Sequence, residues 1–127
     1  MMLLLDTHTL WLVSADPRLS NSATEILVNR DNDLLVSPAT YWELAIKISL
    51  GKYSLSGSLA DFINEAIRLY GLNILPITPK HAEIIVQLPH HHKDPFDRML
   101  IAQAIVEQIA VVSADEAFDA YPVTRLW

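Results

Sequence analysis

At 127 residues, with 51% of them hydrophobic and 19% charged, the chain is long enough to bury a core and too apolar to be disordered; one domain, 1–127, is expected. No apolar run approaches the roughly 18–20 residues of a membrane span, the opening MMLLLD has no basic flank, and cysteine is absent, so neither a membrane span nor a secretory leader nor a disulfide framework is expected, and a cytoplasmic location is. The net charge of −6 argues against a bulk electrostatic nucleic-acid binder, but not against an enzyme that reaches phosphate through divalent cations.

Short β-type runs alternate with helical patterns, which predicts an α/β fold with a parallel sheet between two layers of helices. MLLL (2–5) is a first strand, and a short helix runs through THTLWLV. SNSATEILVNR forms a second helix with Ile26 and Leu27 in its apolar stripe, and DLLVS (33–37) the next strand. Ser37 and Pro38 then open PATYWELAIKISL as N-cap and first helical residue, and Gly51 ends it. SLADFINEAIRLY is amphipathic and closes at Gly71. LNILPI is a strand, Thr78-Pro79 caps the helix KHAEIIVQL, and a long helix spans about 95–108. IAVVSA is a strand, DEAFDA a helical turn, and PVTRLW a last edge strand, for about five strands and six or seven helices in all.

Four acids fall at the ends of these elements. Asp6 follows the first strand and Asp115 the strand AVVS. Glu43 shares a helical face with Ala39, Ile46 and Leu50, and Asp97 lies in line with Leu100, Ile101, Ala104 and Ile105. In open α/β sheets, sites form beyond the carboxyl ends of the strands, the rim at which the following helices begin. Four carboxylates from distant parts of the chain are thus expected to converge there. Such a cluster repels itself and calls for a positive partner, and oxygen ligands alone favour Mg²⁺ or Mn²⁺. Each acid also has a plainer role: Asp6 and Asp115 as caps of the helices they precede, Asp97 in a capping box with the Asp94 end, Glu43 in a pair with Lys47.

The segments LLLDTHTLWL, SPATYWELAIKISLGK, HHHKDPFDRMLIAQA and VVSADEAFDAY resemble, in order and spacing, the successive motifs of PIN-domain ribonucleases. The likeness is greatest to the branch of VapC-type toxins, and it runs over essentially the whole chain. It implies a three-layer α/β/α fold with strand order 3-2-1-4-5, endoribonuclease activity on RNA, a cognate antitoxin that inserts a segment near the active site, and a homodimer. It also implies that Asp6, Glu43, Asp97 and Asp115 form the acidic metal site, with Ser113 positioning water beside it; Asp94 is preferred as an N-cap.

The triplet His90-His91-His92 is not part of that signature. Adjacent loop residues cannot all face one ion, so a solvated loop at the mouth of the site is expected. His8 is a candidate substrate contact or a structural histidine, and Lys93 and Arg98 are candidate phosphate contacts or solvated helix ends. Trp11, Trp42, Trp127 and Tyr41 pack the core or supply a dimer or antitoxin surface. Two rivals compete with the nuclease reading. One is a receiver-like Mg²⁺-dependent phosphoacceptor, which would want an acidic pair after an early strand and a lysine after a late one. The other is a non-catalytic RNA- or protein-binding module whose acids are caps alone.

Overall fold

The computed structural model of the chain describes residues 1–12 and 18–127, without the side chains of Trp11 and Leu12. Five strands form one parallel sheet: β1 (Met2–Leu5), β2 (Asp33–Val36), β3 (Asn73–Ile74), β4 (Ala110–Val112) and β5 (Arg125–Leu126), in the order β3-β2-β1-β4-β5. Six α-helices connect them among the described residues: α1 (Thr7–Leu12), α2 (Asn21–Val28), α3 (Pro38–Ser49), α4 (Leu59–Tyr70), α5 (Pro79–Gln87) and α6 (Pro95–Glu107). A 3-10 turn, Glu116–Ala120, precedes β5. The expected helix 7–13 is seen as far as Leu12, and Val13 lies outside the described residues. No helix among the described residues is long and apolar enough to cross a membrane.

The central strands are continuous runs of leucine and valine because both faces of a parallel sheet are covered. Leu3, Leu5, Leu34, Val36 and Val112 point into one core, with Leu10, Leu27, Leu44, Ile63 and Ala66 of α1 to α4. Leu4, Leu35 and Val111 point into the other, with Leu100, Ile101 and Ala104 of α6. This period-2 alternation makes three layers, α/β/α. Ser20, Ser37, Ser58 and Asp94 accept backbone N–H bonds at the starts of α2, α3, α4 and α6. Gly71 closes α4 at φ 62°, the left-handed geometry that glycine adopts without strain.

The two edge strands are shorter than their apolar runs predict. Beyond Ile74, Leu75 still donates to the Val36 carbonyl at 2.9 Å, but Pro76 has no N–H to offer the ladder. The carbonyls of Leu75 and Pro76 instead receive the Gln103 side-chain amide, at 3.1 and 3.4 Å. At the other edge Pro122 delays pairing, and the ladder resumes where Val111 donates to Thr124.

Successive strands are added to one side of β1 and then, from β4, to the other, so the crevice beyond the carboxyl ends of β1 and β4 is the switch point where α/β folds bind ligands. The order also differs from the 2-1-3-4-5 of receiver-like sheets, which removes the structural basis of that rival.

Candidate metal centre

At the switch point the polar side chains form one connected chain. Asp6 continues β1, its N–H donating to the Val112 carbonyl at 3.2 Å, and its carboxylate is 2% exposed. One carboxylate oxygen accepts the Thr9 N–H at 2.7 Å, so the cap role of Asp6 is real. The other accepts the Ser113 hydroxyl at 2.5 Å. Ser113, fully buried at the end of β4, in turn accepts the Asp115 N–H at 3.0 Å. Asp115 caps the 3-10 turn through the Ala117 N–H, and its other oxygen lies 3.9 Å from His92 Nε2. His92 Nε2 meets Asp97 Oδ2 at 2.8 Å.

Asp97 is buried in the first turn of α6, as its place on the apolar stripe predicts. The capping box does not form. Asp94 alone caps, taking the N–H groups of Phe96 and Asp97 at 2.8 and 3.1 Å, and the Asp97 carboxylate is turned to His92. Glu43 is buried more deeply still, yet its oxygens are engaged by Thr7 Oγ1 at 2.7 Å and Lys47 Nζ at 2.8 Å. Burial pulls the Lys47 ammonium down, but the hydrogen bond and attraction of Glu43, with help from Tyr53, outweigh it and raise its pKa.

Asp97 has no such settlement. Its carboxyl is pushed up to about 7, first by burial, then by the negative charges of Asp94, Glu43 and Asp6; His92 pulls the other way without cancelling them. Carboxylates separated by up to 91 residues of sequence therefore act on one group. One ligand-capable atom each from His92, Asp97 and Asp115 lies within 4.8 Å of the others. The oxygens of Asp6 and Glu43 adjoin that group but stand outside it, held by Ser113, Thr9, Thr7 and Lys47. A site with two or more carboxylates, a deficit of positive charge and an open flank at Asp115 fits a hard divalent cation.

Other expectations change. Arg98 is no phosphate contact: only 6% exposed, it donates to the carbonyls of Leu88 at 3.0 Å, Pro89 at 2.8 Å and His92 at 3.3 Å. The helix direction turns it inward under the 88–92 loop rather than out to solvent. His92 is not in a solvated triplet either; His90 and His91 are exposed, whereas His92 is half-buried inside the site. Exposed His8 lines a cleft of about 270 Å³ with Asp6, Thr9, Asp115 and Trp127. Lys93 is exposed and borders a hollow of about 520 Å³ with Trp42, Phe96 and Met99. Trp42 is 62% exposed, edge-on to Phe96 at 5.2 Å, while Trp127 and Tyr41 pack against the core. The side chain of Trp11 lies outside the described residues. Sequence reasoning missed Thr7 and Tyr121 and set His92 aside with its neighbours in a solvated loop, although the run of three histidines was the one local cue to any of them.

Comparison with solved structures finds the same fold along the whole chain. A chain of VapBC2 from Rickettsia felis, solved bound to a DNA fragment from its promoter, shares 18% identity over 99% of this chain and 98% of its own, with a TM-score of 0.72. FitAcB from Neisseria gonorrhoeae gives 22% identity, 99% and 97% coverage, and a TM-score of 0.70. DNA-bound VapBC from Salmonella typhimurium gives 18%, 99%, 97% and 0.70. Among curated proteins no sequence match was found. The family model of the PIN domain matches residues 3–123, nearly the full length, and the chain belongs to the PIN-domain family.

Proposed function

We propose that the chain is a Mg²⁺- or Mn²⁺-dependent endoribonuclease, the toxin member of a toxin–antitoxin pair. One observation carries the reading: the Asp97 carboxyl at the sheet's switch point, raised to about 7 first by its burial and then by surrounding acids, belongs to a charge cluster in want of a cation. Asp97 and Asp115 would hold the ion, with Asp6 and Glu43 completing the acidic surround. When bound, the cation stabilises the charge that develops on the phosphodiester. Ser113 fixes the Asp6 carboxylate, and Thr7 and Lys47 fix Glu43, so that these oxygens keep their places when water and RNA enter. Glu43 is the group we assign to orient the attacking water, and His8 and Lys93, exposed on the two flanks, to meet RNA phosphates.

The shared fold of chains from VapBC and FitAB assemblies supports a cognate antitoxin as partner. The hollow beside Trp42 and Phe96 is the surface we assign to it, an aromatic anchor next to the site. A homodimer and a cytoplasmic setting belong to the same proposal; light scattering of the purified chain reads the first. The decisive experiment incubates purified protein with RNA and Mn²⁺. Cleavage that vanishes on chelation and in Asp97→Asn is expected; equal cleavage by that variant removes Asp97 from the site.

The rival binding-module reading has one observation in its favour, since Asp6 and Asp115 do cap the turns that follow them. Calorimetry with Mn²⁺ separates the two. A metal-free module gives no binding heat and no shift in Tm.

A further inference from the structure

His92 is held on several sides, although it sits in a loop. Its backbone N–H donates to the Tyr121 hydroxyl at 2.8 Å, and that hydroxyl donates to the Pro89 carbonyl at 2.7 Å. Buried Arg98 grips the carbonyls of Leu88, Pro89 and His92, so both ends of the short loop are tied to one guanidinium. The imidazole stands edge-on to Phe118, with ring centres 6.5 Å apart at 85°. The Asp94 N–H donates to its Nδ1 at 3.3 Å.

That last contact decides what His92 does. A ring nitrogen that accepts a hydrogen bond carries no proton, so the proton of the neutral ring sits on Nε2. Nε2 is the atom 2.8 Å from Asp97 Oδ2 and 3.9 Å from Asp115. Proximity alone would make it a third ligand beside the two carboxylates. A protonated nitrogen has no lone pair for a metal, and the pinned backbone and packed ring leave no route to the other tautomer without breaking the Asp94 contact.

We infer that His92 is a positioning residue. Its Nε2–H holds Asp97 Oδ2 and thereby aims Oδ1 at the cation, while Arg98 and Tyr121 form the clamp that fixes His92 itself. This rests on the metal-dependent reading above. It assigns to this loop the role that carboxylate partners play for ligating histidines elsewhere, with donor and acceptor exchanged.

The test measures Mn²⁺ binding by calorimetry and pulsed electron paramagnetic resonance on the intact protein, in wild type, His92→Gln, His92→Phe and Tyr121→Phe. Wild type is expected to bind Mn²⁺ with no directly bonded nitrogen in the spectrum. His92→Phe keeps the packing on Phe118 but loses the donor, and affinity should fall about 10- to 100-fold. His92→Gln, which can still donate, should recover most of it. Tyr121→Phe leaves the imidazole in place and loosens one side of its clamp, so a smaller loss is expected; it stands in should His92→Phe fail to fold. In an Asp97→Asn background the His92→Phe change should make no further difference. A bonded-nitrogen signal that disappears in His92→Phe would make His92 a ligand and overturn the inference. Unchanged affinity in folded His92→Phe, or in folded Tyr121→Phe if the former cannot be made, overturns it too. A wild type that binds no Mn²⁺ sinks the metal-dependent reading itself, a separate and recognisable failure.

Discussion

Glu43 and Asp97 are two buried acids on the same rim, and they are treated in opposite ways. Glu43 has an ammonium on one oxygen and a hydroxyl on the other. Asp97 has an imidazole on one oxygen and three further acids acting on it. Glu43 is the more deeply buried of the two, so depth does not set Asp97 apart; the supply of positive charge does. The protein neutralises the Glu43 end from its own sequence and leaves the Asp97 end short, and that shortfall is what the proposed cation would make good.

The largest expected effect breaks the deficient end. Asp97→Asn should lower RNA cleavage by at least about 100-fold while leaving the circular-dichroism spectrum unchanged. The same substitution sharpens the electrostatic contrast in the presence of chelator. An ordinary aspartate ionises near 3.8, and folded Asp97 does so at about 7. Below the lower value both folded and unfolded chains hold the proton and the group costs nothing. As pH rises, the unfolded chain releases its proton first, so stability falls, and the loss is complete above about 7. Urea unfolding of the metal-free protein at pH 4.5 and pH 8 should therefore show a decline on the order of 2–4 kcal/mol from this group. Asp97→Asn should remove that part of the slope, and a slope identical to wild type would refute the assignment.

At the satisfied end, Lys47→Met should strip Glu43 of its ammonium partner and leave it only the Thr7 hydroxyl. The Lys47 side chain is 25% exposed, so solvent screens part of the pair, and a loss of about 1 kcal/mol is expected in the same unfolding assay. Least of all should follow from Arg68→Ala. That exposed pair with Glu65 lies on the outer face of α4, and its removal should leave Tm within error.

Much of this architecture was legible because it is periodic. Leu3, Leu4 and Leu5, or Leu34, Leu35 and Val36, announce a strand buried on both faces, and Asp94-Pro95 announces a helix start. The position of Asp97 on the inner face of α6 followed from helical spacing alone, and the strand order came with the resemblance. What escaped was set by partners distant in sequence. Arg98 is buried because Tyr121 and the 88–92 loop offer it acceptors, a fact no window around residue 98 contains. Glu43 was expected beside Lys47, but Thr7 comes from another helix 36 residues away. His92 sits in an aperiodic loop, where side-chain direction depends on the tertiary clamp rather than on spacing. The strand ends at Pro76 and Pro122 were overrun because hydrophobicity continues past the last residue able to pair.

The inward turn of the Leu75 and Pro76 carbonyls toward Gln103 reaches beyond local bonding. The open flank of a sheet is a template on which a foreign strand can grow, and a two-residue border strand followed by proline offers it little to copy. With the Leu75 and Pro76 carbonyls already taken by a buried amide, those two acceptors are withheld from any strand that would add there.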